Sequence, residues 1–180
     1  MNHQTAATAL LQRWISGTAT PEDRQRTCVV LCMDFRYGER FHGCYQAENA
    51  GPRCADSARS LDYLLRLTPD DAPLVIFWLT HNGLCGCSRL ETGSDDPTVV
   101  EPHTADTRRL ELEALLAADG PGSPRLRRAV AEGRALVLSG HVDVTASPRT
   151  THLLVAETNG VMRACGLPEL PAELADTDLP

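Results

Sequence analysis

The sequence predicts an α/β domain in which a mainly parallel central sheet is flanked by helices. Residues 27–33 and 74–80 are continuous apolar runs of strand length, which is the pattern of strands buried on both faces of a sheet. Segments with helical spacing of apolar residues lie between and after these runs. Strands that alternate with helices in this way usually pair in parallel, so the order of elements indicates the fold class.

The first element is a predicted amphipathic helix over residues 5–16. Its apolar residues recur at helical spacing: Ala6, Leu10, Leu11, Trp14 and Ile15. The segment "SGTATP" after it contains the glycine and proline that favour a loop. The first buried strand, over residues 27–33, follows this loop.

The next segment, residues 34–56, is predicted to be irregular because it is rich in glycine, asparagine and charged residues. A helix is predicted over residues 58–67, where three leucines mark one face: Leu61, Leu64 and Leu65. Asp56 or Ser57 is a suitable N-cap for this helix, because a short polar side chain can accept a hydrogen bond from the first turn. The second buried strand, over residues 74–80, comes next.

The second half of the chain continues the alternation. The segment "ETGSDDPTVVEP" is predicted to be a loop, and helices are predicted over residues 107–118 and 124–132. Two further strands are predicted over residues 135–138 and 151–156, with a polar segment between them. The tail, residues 166–180, is acidic and rich in proline, and we expect it to pack loosely or extend. The chain therefore divides into an N-terminal helical arm (1–20), an α/β domain (21–165) that carries the candidate site residues, and a C-terminal tail (166–180).

Composition excludes several classes of function. A length of 180 residues suits one domain with a real core. The net charge is -7 and every basic residue is arginine, so Schiff-base chemistry is excluded and neither nucleic acid nor an anionic membrane is an expected partner. No apolar run approaches the roughly 20 residues of a membrane span, and the N-terminus does not resemble a signal peptide. We therefore expect a cytoplasmic protein whose seven cysteines bind metal, act in catalysis or are simply buried.

Two apolar strands end in residues that bind soft metals. Cys32 ends the first run, and His81 follows the second, with Cys85 four residues later. Ligands of α/β sheets bind beyond the carboxyl ends of the strands, which is where these side chains fall. Two thiolates and one imidazole suit tetrahedral Zn²⁺ and leave a fourth position open for water. Asp34 and Arg36 alternate with Cys32, so in an extended segment all three face one pocket.

These motifs resemble those of the β-class carbonic anhydrases. "CMDFR" is similar to the family's Cys-x-Asp-x-Arg motif, "ENAG" to its Asn-Ala-Gly segment, and "THNGLCG" to its His-x-x-Cys-Gly segment. "SLDYLL" and "SGHVDVTASPRTTHLL" resemble the helix after Asn-Ala-Gly and the late hairpin of the family. The matches appear in the family's order and cover about residues 27–157.

The resemblance implies a β-carbonic-anhydrase-like fold and a zinc enzyme that interconverts carbon dioxide and bicarbonate. Zinc would be held by Cys32, His81 and Cys85, and zinc-bound hydroxide would attack the small substrate. Asp34, paired with Arg36, would orient or gate that hydroxide, and the backbone of Gly51 would line the pocket. The resemblance also implies a homodimer or a multiple of dimers, in which the N-terminal helix embraces the neighbouring subunit.

The sequence departs from the family pattern at three places. Three residues separate His81 from Cys85, where the family has two; Gly83 can absorb the extra residue in a tight turn, or Cys87 can replace Cys85 as the ligand. Phe35 stands where the family usually has a small residue, and Glu48 where it more often has arginine. These changes put the substrate in question more than the metal.

Three alternative functions remain open. A relative of the family can act on carbon disulfide, carbonyl sulfide or another small carbonyl compound through the same zinc chemistry. Alternatively, Cys32, His81, Cys85 and Cys87 together close all four positions of a catalytically silent zinc site. A redox protein that uses the Cys85-x-Cys87 pair is the third alternative.

Overall fold

A six-stranded mixed sheet flanked by helices forms the centre of the protein. The computed structural model describes residues 3–32, 41–49, 54–120 and 122–180. The helices are α1 (His3–Ile15), α2 (Pro21–Gln25), α3 (Cys54–Leu67), α4 (Gly86–Thr92), α5 (Pro97–Leu116), α6 (Pro124–Ala131) and α7 (Val155–Ala164). The strands are β1 (Thr27–Cys32), β2 (Tyr45–Asn49), β3 (Leu74–His81), β4 (Ala135–Asp143), β5 (Thr150–Leu153) and β6 (Thr177–Leu179).

The strand order is β2-β1-β3-β4-β5-β6, and the sheet is only partly parallel. Strands β2, β1, β3 and β4 pair in parallel, as the sequence predicts for its buried apolar runs. Strand β5 pairs antiparallel with β4, because the chain returns from β4 through a short connection instead of a crossover helix, and β6 pairs antiparallel with β5. The expectation of a mainly parallel sheet is therefore correct for strands β2, β1, β3 and β4, which include the strands that carry the predicted site. It is wrong for strands β5 and β6.

Two apolar layers cover the two faces of the sheet. We call the first the α3 layer; it joins one face to helices α3, α5, α6 and α7 through residues that include Val30, Ile76, Trp78, Leu61 and Leu112. We call the second the α1 layer; it includes Val29, Phe77, Leu79, Leu10 and Trp14. Every residue of β1 and β3 is buried, since both faces of these strands are covered. Each layer holds one tryptophan whose indole N–H donates a hydrogen bond: Trp14 to Thr27 Oγ1 (2.8 Å), and Trp78 to the carbonyl of Arg108 (3.0 Å).

The N-terminal helix and the tail both pack on this sheet. Ala7, Leu10 and Leu11 on α1 are fully buried within the α1 layer. Leu170 and Leu179 of the tail are buried in the same layer, and β6 pairs with β5. Of the two alternatives expected for residues 166–180, loose packing is wrong, because Leu170 and Leu179 are buried, whereas residues 177–179 do extend as strand β6.

Several element boundaries also differ from the predicted ones. Strand β2 lies within the segment expected to be irregular, and α7 begins at Val155, within the strand expected over residues 151–156. Helix α3 begins at Cys54, before the two expected N-caps. Helix α5 begins in the expected loop, where Asp96 accepts a hydrogen bond from the N–H of Thr98 and Pro97 takes the first helical position. Strand β4 extends to Asp143, so it includes residues expected to form a polar connection. No helix of the described residues has the length and apolar character needed to cross a membrane.

Candidate metal centre

Neighbouring parallel strands bring the predicted metal ligands to one edge of the sheet. Cys32 is the last residue of β1, and His81 is the last residue of β3. The two strands pair directly, with Val30 opposite Trp78, so their carboxyl ends lie side by side. Cys85 lies immediately before α4 and Cys87 in its first turn. Cys32, His81 and Cys85 are all buried, with 1%, 2% and 3% of their surface exposed.

Three cysteine sulfur atoms converge at this edge. The Sγ atom of Cys32 lies 3.8 Å from that of Cys85 and 3.6 Å from that of Cys87. All three sulfur atoms lie within 4.8 Å of one another, so the group can hold a metal ion. Two thiolates bound at about 2.3 Å in tetrahedral geometry are about 3.8 Å apart, so these separations fit a zinc site. They are far longer than the roughly 2.05 Å of a disulfide bond.

His81 is oriented for ligation by its hydrogen bond to the backbone. Its Nδ1 atom lies 2.8 Å from the carbonyl oxygen of Asn82. A carbonyl only accepts hydrogen bonds, so Nδ1 carries the proton of the neutral imidazole and Nε2 keeps its lone pair. The His81 side chain also interacts with Cys85. The imidazole therefore lies near Cys85 with its Nε2 atom unprotonated, but His81 is not one of the described residues whose ligand atoms converge within 4.8 Å, which are Cys32, Cys85 and Cys87.

The surroundings of Cys85 favour its thiolate form. The hydrogen bond with Cys32 lowers the pKa of the Cys85 thiol, burial opposes this, and His81 lowers the pKa further. The net result is a pKa well below that of an ordinary thiol. Because the thiolate is the form that binds a metal, Cys85 is prepared for ligation.

The residues between His81 and Cys85 form a strained turn. Gly83 has a φ angle of 75°, and Leu84 has a φ angle of 60°. The left-handed region is ordinary for glycine, but for leucine it costs roughly 1–2 kcal/mol. Two consecutive left-handed residues thus turn the chain sharply between His81 and Cys85, and the Cys85 sulfur lies near that of Cys32.

Asn82 ties this turn to the end of β4. Its Nδ2 atom donates to Asp143 Oδ1 at 2.8 Å, and its Oδ1 atom accepts from the N–H of Val144 at 2.9 Å. Its backbone N–H donates to the carbonyl of Val142 at 3.2 Å. Hydrogen bonds from Thr145, then from Asn82, hold the pKa of Asp143 well below its usual range, so this anchor keeps its charge.

A buried ion pair lies directly behind the strand that carries His81. Arg108 on α5 donates two hydrogen bonds of 2.8 Å to the carboxylate of Glu157 on α7, and a third of 2.8 Å to Thr80 Oγ1. Ser139 on β4 donates to the same carboxylate. Burial would raise the pKa of Glu157, but the hydrogen bonds and charge of Arg108 outweigh it and the pKa falls.

Sequence analysis did not identify this network. A cavity of about 270 Å³ lies beside it, lined by His81, Arg108 and His141 among others. The sequence pattern that could have indicated this network is the position of Arg108, four residues before Leu112 on the buried face of α5. An arginine on an apolar helical face requires a buried partner.

The structure describes only some of the predicted site residues. The structure brings Cys32 and Cys85 together, and the third member of the converging group is Cys87 and not the predicted His81, which interacts with Cys85. Cys87 is as close to Cys32 as Cys85 is, so the alternative ligand is equally available. Asp34, Arg36 and Gly51, the other predicted site residues, lie outside the described residues.

Another cysteine and two histidines lie outside the sulfur group. Cys28 is fully buried in the α3 layer, as expected for a core residue. His141 lies on β4 and lines the same cavity as His81, and His103 lies within α5, where it pairs with Glu91. Comparison with protein-family models and with curated proteins gives no match for this chain.

Proposed function

We propose that this protein is a zinc enzyme that adds water to a small electrophilic carbon, with reversible hydration of carbon dioxide to bicarbonate as the leading reaction. The observation that carries the proposal is the approach of Cys32 and Cys85 to 3.8 Å at the carboxyl ends of adjacent parallel strands, with His81 beside them. When bound with one open position, zinc lowers the pKa of water to near neutral and supplies the nucleophile. The carbonic-anhydrase-like motifs of the sequence support this reaction class.

The chain's own residues are assigned the following roles. Cys32 and Cys85 bind the metal as thiolates, and the Asn82 carbonyl holds His81 in the tautomer that offers Nε2. Asp34, paired with Arg36, orients or gates the zinc-bound hydroxide, and the backbone of Gly51 lines the pocket. The roles of these last three residues rest on the sequence motifs alone. The substrate is a small neutral molecule, and the expected assembly is a homodimer.

The first test is metal content measured by mass spectrometry on the purified chain. We expect about one zinc per chain, lost in Cys32→Ser, His81→Ala and Cys85→Ser. Cys165→Ser is the matched control, because Cys165 lies on the other face of the sheet, where its thiol donates to the carbonyl of Glu113. Retention of zinc in all three ligand variants would refute the assigned site.

The second test is activity in a stopped-flow assay of carbon dioxide hydration, run beside assays with carbon disulfide and carbonyl sulfide. We expect turnover with one of these substrates. Asp34→Asn should reduce turnover by about 10²-fold, the loss expected when a reacting group is misplaced, while zinc is retained. Unchanged turnover would contradict the role of Asp34, and turnover of a sulfur substrate alone would reassign the reaction within the same class.

A second candidate function is favoured by the position of Cys87. Its sulfur lies 3.6 Å from that of Cys32, so Cys32, His81, Cys85 and Cys87 can fill four positions of a structural zinc site. This candidate predicts that Cys87→Ser lowers zinc affinity as much as Cys85→Ser does. It also predicts that cobalt substituted for zinc shows three thiolate ligands in its charge-transfer absorption, whereas the catalytic site would show two. Three thiolates and no turnover would establish the structural site in place of the enzyme.

A further inference from the structure

A second charged cavity lies at the opposite edge of the sheet from the sulfur group. Its volume is about 550 Å³, and it is lined by Arg125, Arg128, Arg134, Asp70 and Glu132 among others. Arg134 immediately precedes β4, so the cavity lies at the amino ends of the parallel strands. Strand β4 has nine residues, which at about 3.3 Å each places the cavity roughly 25–30 Å from the metal centre. This separation makes it a different site from the one described above.

Arg134 carries a buried and unsatisfied guanidinium nitrogen. Only 9% of the residue is exposed, and its Nη1 atom is buried without a hydrogen-bond partner in the described part of the chain. The backbone of Arg134 is fixed, because its N–H donates to Ala129 at 2.8 Å and its carbonyl accepts from Leu74 at 2.9 Å. A buried cation without a partner is costly, and an anion held beside it in the cavity would reduce that cost through its charge.

Two more arginines complete a basic cluster around this nitrogen. Arg125 and Arg128 are three residues apart on α6 and therefore share one face of the helix. Both are exposed, and neither side chain has an ion pair or hydrogen bond within the described ranges. Three guanidinium groups face two carboxylates, Asp70 and Glu132, so the lining has an excess of positive charge in an acidic protein.

We propose that this cavity binds a phosphate group, with Arg134 at its base and Arg125 and Arg128 at its rim. Guanidinium groups donate paired, parallel hydrogen bonds to the oxygens of phosphate, and a group of two negative charges can engage more than one arginine. The cavity is larger than inorganic phosphate requires, so the bound group is part of a phosphomonoester. This site is independent of the proposed zinc chemistry.

The test is calorimetric titration of the full chain with glycerol phosphate and, separately, with inorganic phosphate, at constant ionic strength in chloride. We expect saturable binding of one ligand per chain, tighter for the ester. Arg134→Gln and Arg128→Gln should each weaken binding by about tenfold, the size expected for loss of a charged hydrogen bond. Asp70→Asn should strengthen it, because it removes a negative charge from the lining.

Arg163→Gln is the matched control; its side chain is 66% exposed on α7 and pairs with Glu169. This variant should bind like the unmodified chain. Thermal unfolding of each variant shows whether it is folded, and Arg128 is exposed, so its substitution tests the site even if Arg134→Gln does not fold. Absence of saturable binding, or equal affinity in Arg128→Gln, Asp70→Asn and the control, would overturn the proposal.

Discussion

Replacement of Glu157 by glutamine should reveal how much the ion pair behind His81 stabilises the fold. The Arg108 side chain is 6% exposed and that of Glu157 is 22% exposed, so the pair is largely removed from water. In Glu157→Gln, one oxygen can still accept from Arg108, but the amide group then directs its own N–H groups at the second guanidinium N–H. The loss is one hydrogen bond to a charged group, about 1.5–3 kcal/mol. Complete disruption of a buried pair costs more, about 3–5 kcal/mol.

We therefore expect Glu157→Gln to lower the free energy of unfolding by about 2–3 kcal/mol. This value is within the range for one lost hydrogen bond and not that for complete disruption, because water reaches part of Glu157. For a chain of this size the melting temperature should fall by roughly 5–10 °C. The assay is urea unfolding followed by circular dichroism, with a chelator present so that metal binding does not contribute. Glu169→Gln is the control, because the exposed Arg163–Glu169 pair is worth only about 0–1 kcal/mol.

A double-mutant cycle makes this prediction sharper. Arg108→Met and Glu157→Gln combined should cost less than the sum of the two single changes, because a cation without its partner is no longer left buried. Equal destabilisation by Glu157→Gln and Glu169→Gln, or strict additivity in the cycle, would show that the pair does not hold α5 and α7 against the strand that carries His81.

Three further outcomes test other parts of the structure. Leu10→Ala should lower the free energy of unfolding by about 2–5 kcal/mol because Leu10 is fully buried; Leu90→Ala, at a residue 87% exposed, should change it by less than about 0.5 kcal/mol. Gly83→Ala should cost about 1–2 kcal/mol, since its φ of 75° is unfavourable for a residue with a side chain, and should weaken zinc retention measured by competition with a chelator. The Arg13 hydrogen bond holds the pKa of Asp23 well below its usual range, so Asp23→Asn should cost about 1 kcal/mol at neutral pH, where the carboxylate is charged in both states. The difference in unfolding free energy between the unmodified chain and Asp23→Asn should begin to shrink as the pH falls below about 4, the ordinary pKa of aspartate. It should be lost once the pH falls below the lower pKa that Asp23 has in the folded state. Urea unfolding at several pH values measures this difference.

The strands that carry the site could be predicted from the sequence because they are covered on both sides. Residues 27–33 and 74–80 are apolar except for Thr27 and Thr80 at their ends, and their lengths match β1 and β3 closely. The edge strands could not be predicted in this way. Strand β2, with the sequence "YQAEN", has neither a continuous apolar run nor a clear alternation, and β6 has three residues that are held by pairing with β5.

The candidate site was predictable to the extent that its ligands lie at strand ends. Cys32 and His81 end adjacent strands, so sequence position alone brings them close. The position of Cys87 depends on the left-handed turn at Gly83 and Leu84, which depends on the path of the whole segment and not on local preference. The partner of Arg108 lies 49 positions away, on α7, a helix that begins within an expected strand.

The two tryptophans allow each side of the sheet to be followed separately by intrinsic fluorescence. Each apolar layer contains one indole, and each indole is fixed by a hydrogen bond to a different part of the chain. Emission from a Trp78→Phe variant would follow the layer that contacts the sulfur group, and emission from a Trp14→Phe variant would follow the layer of α5 and α7. Unfolding curves recorded from the intrinsic tryptophan fluorescence of the two variants would therefore show whether the two sides of the sheet unfold together or one after the other.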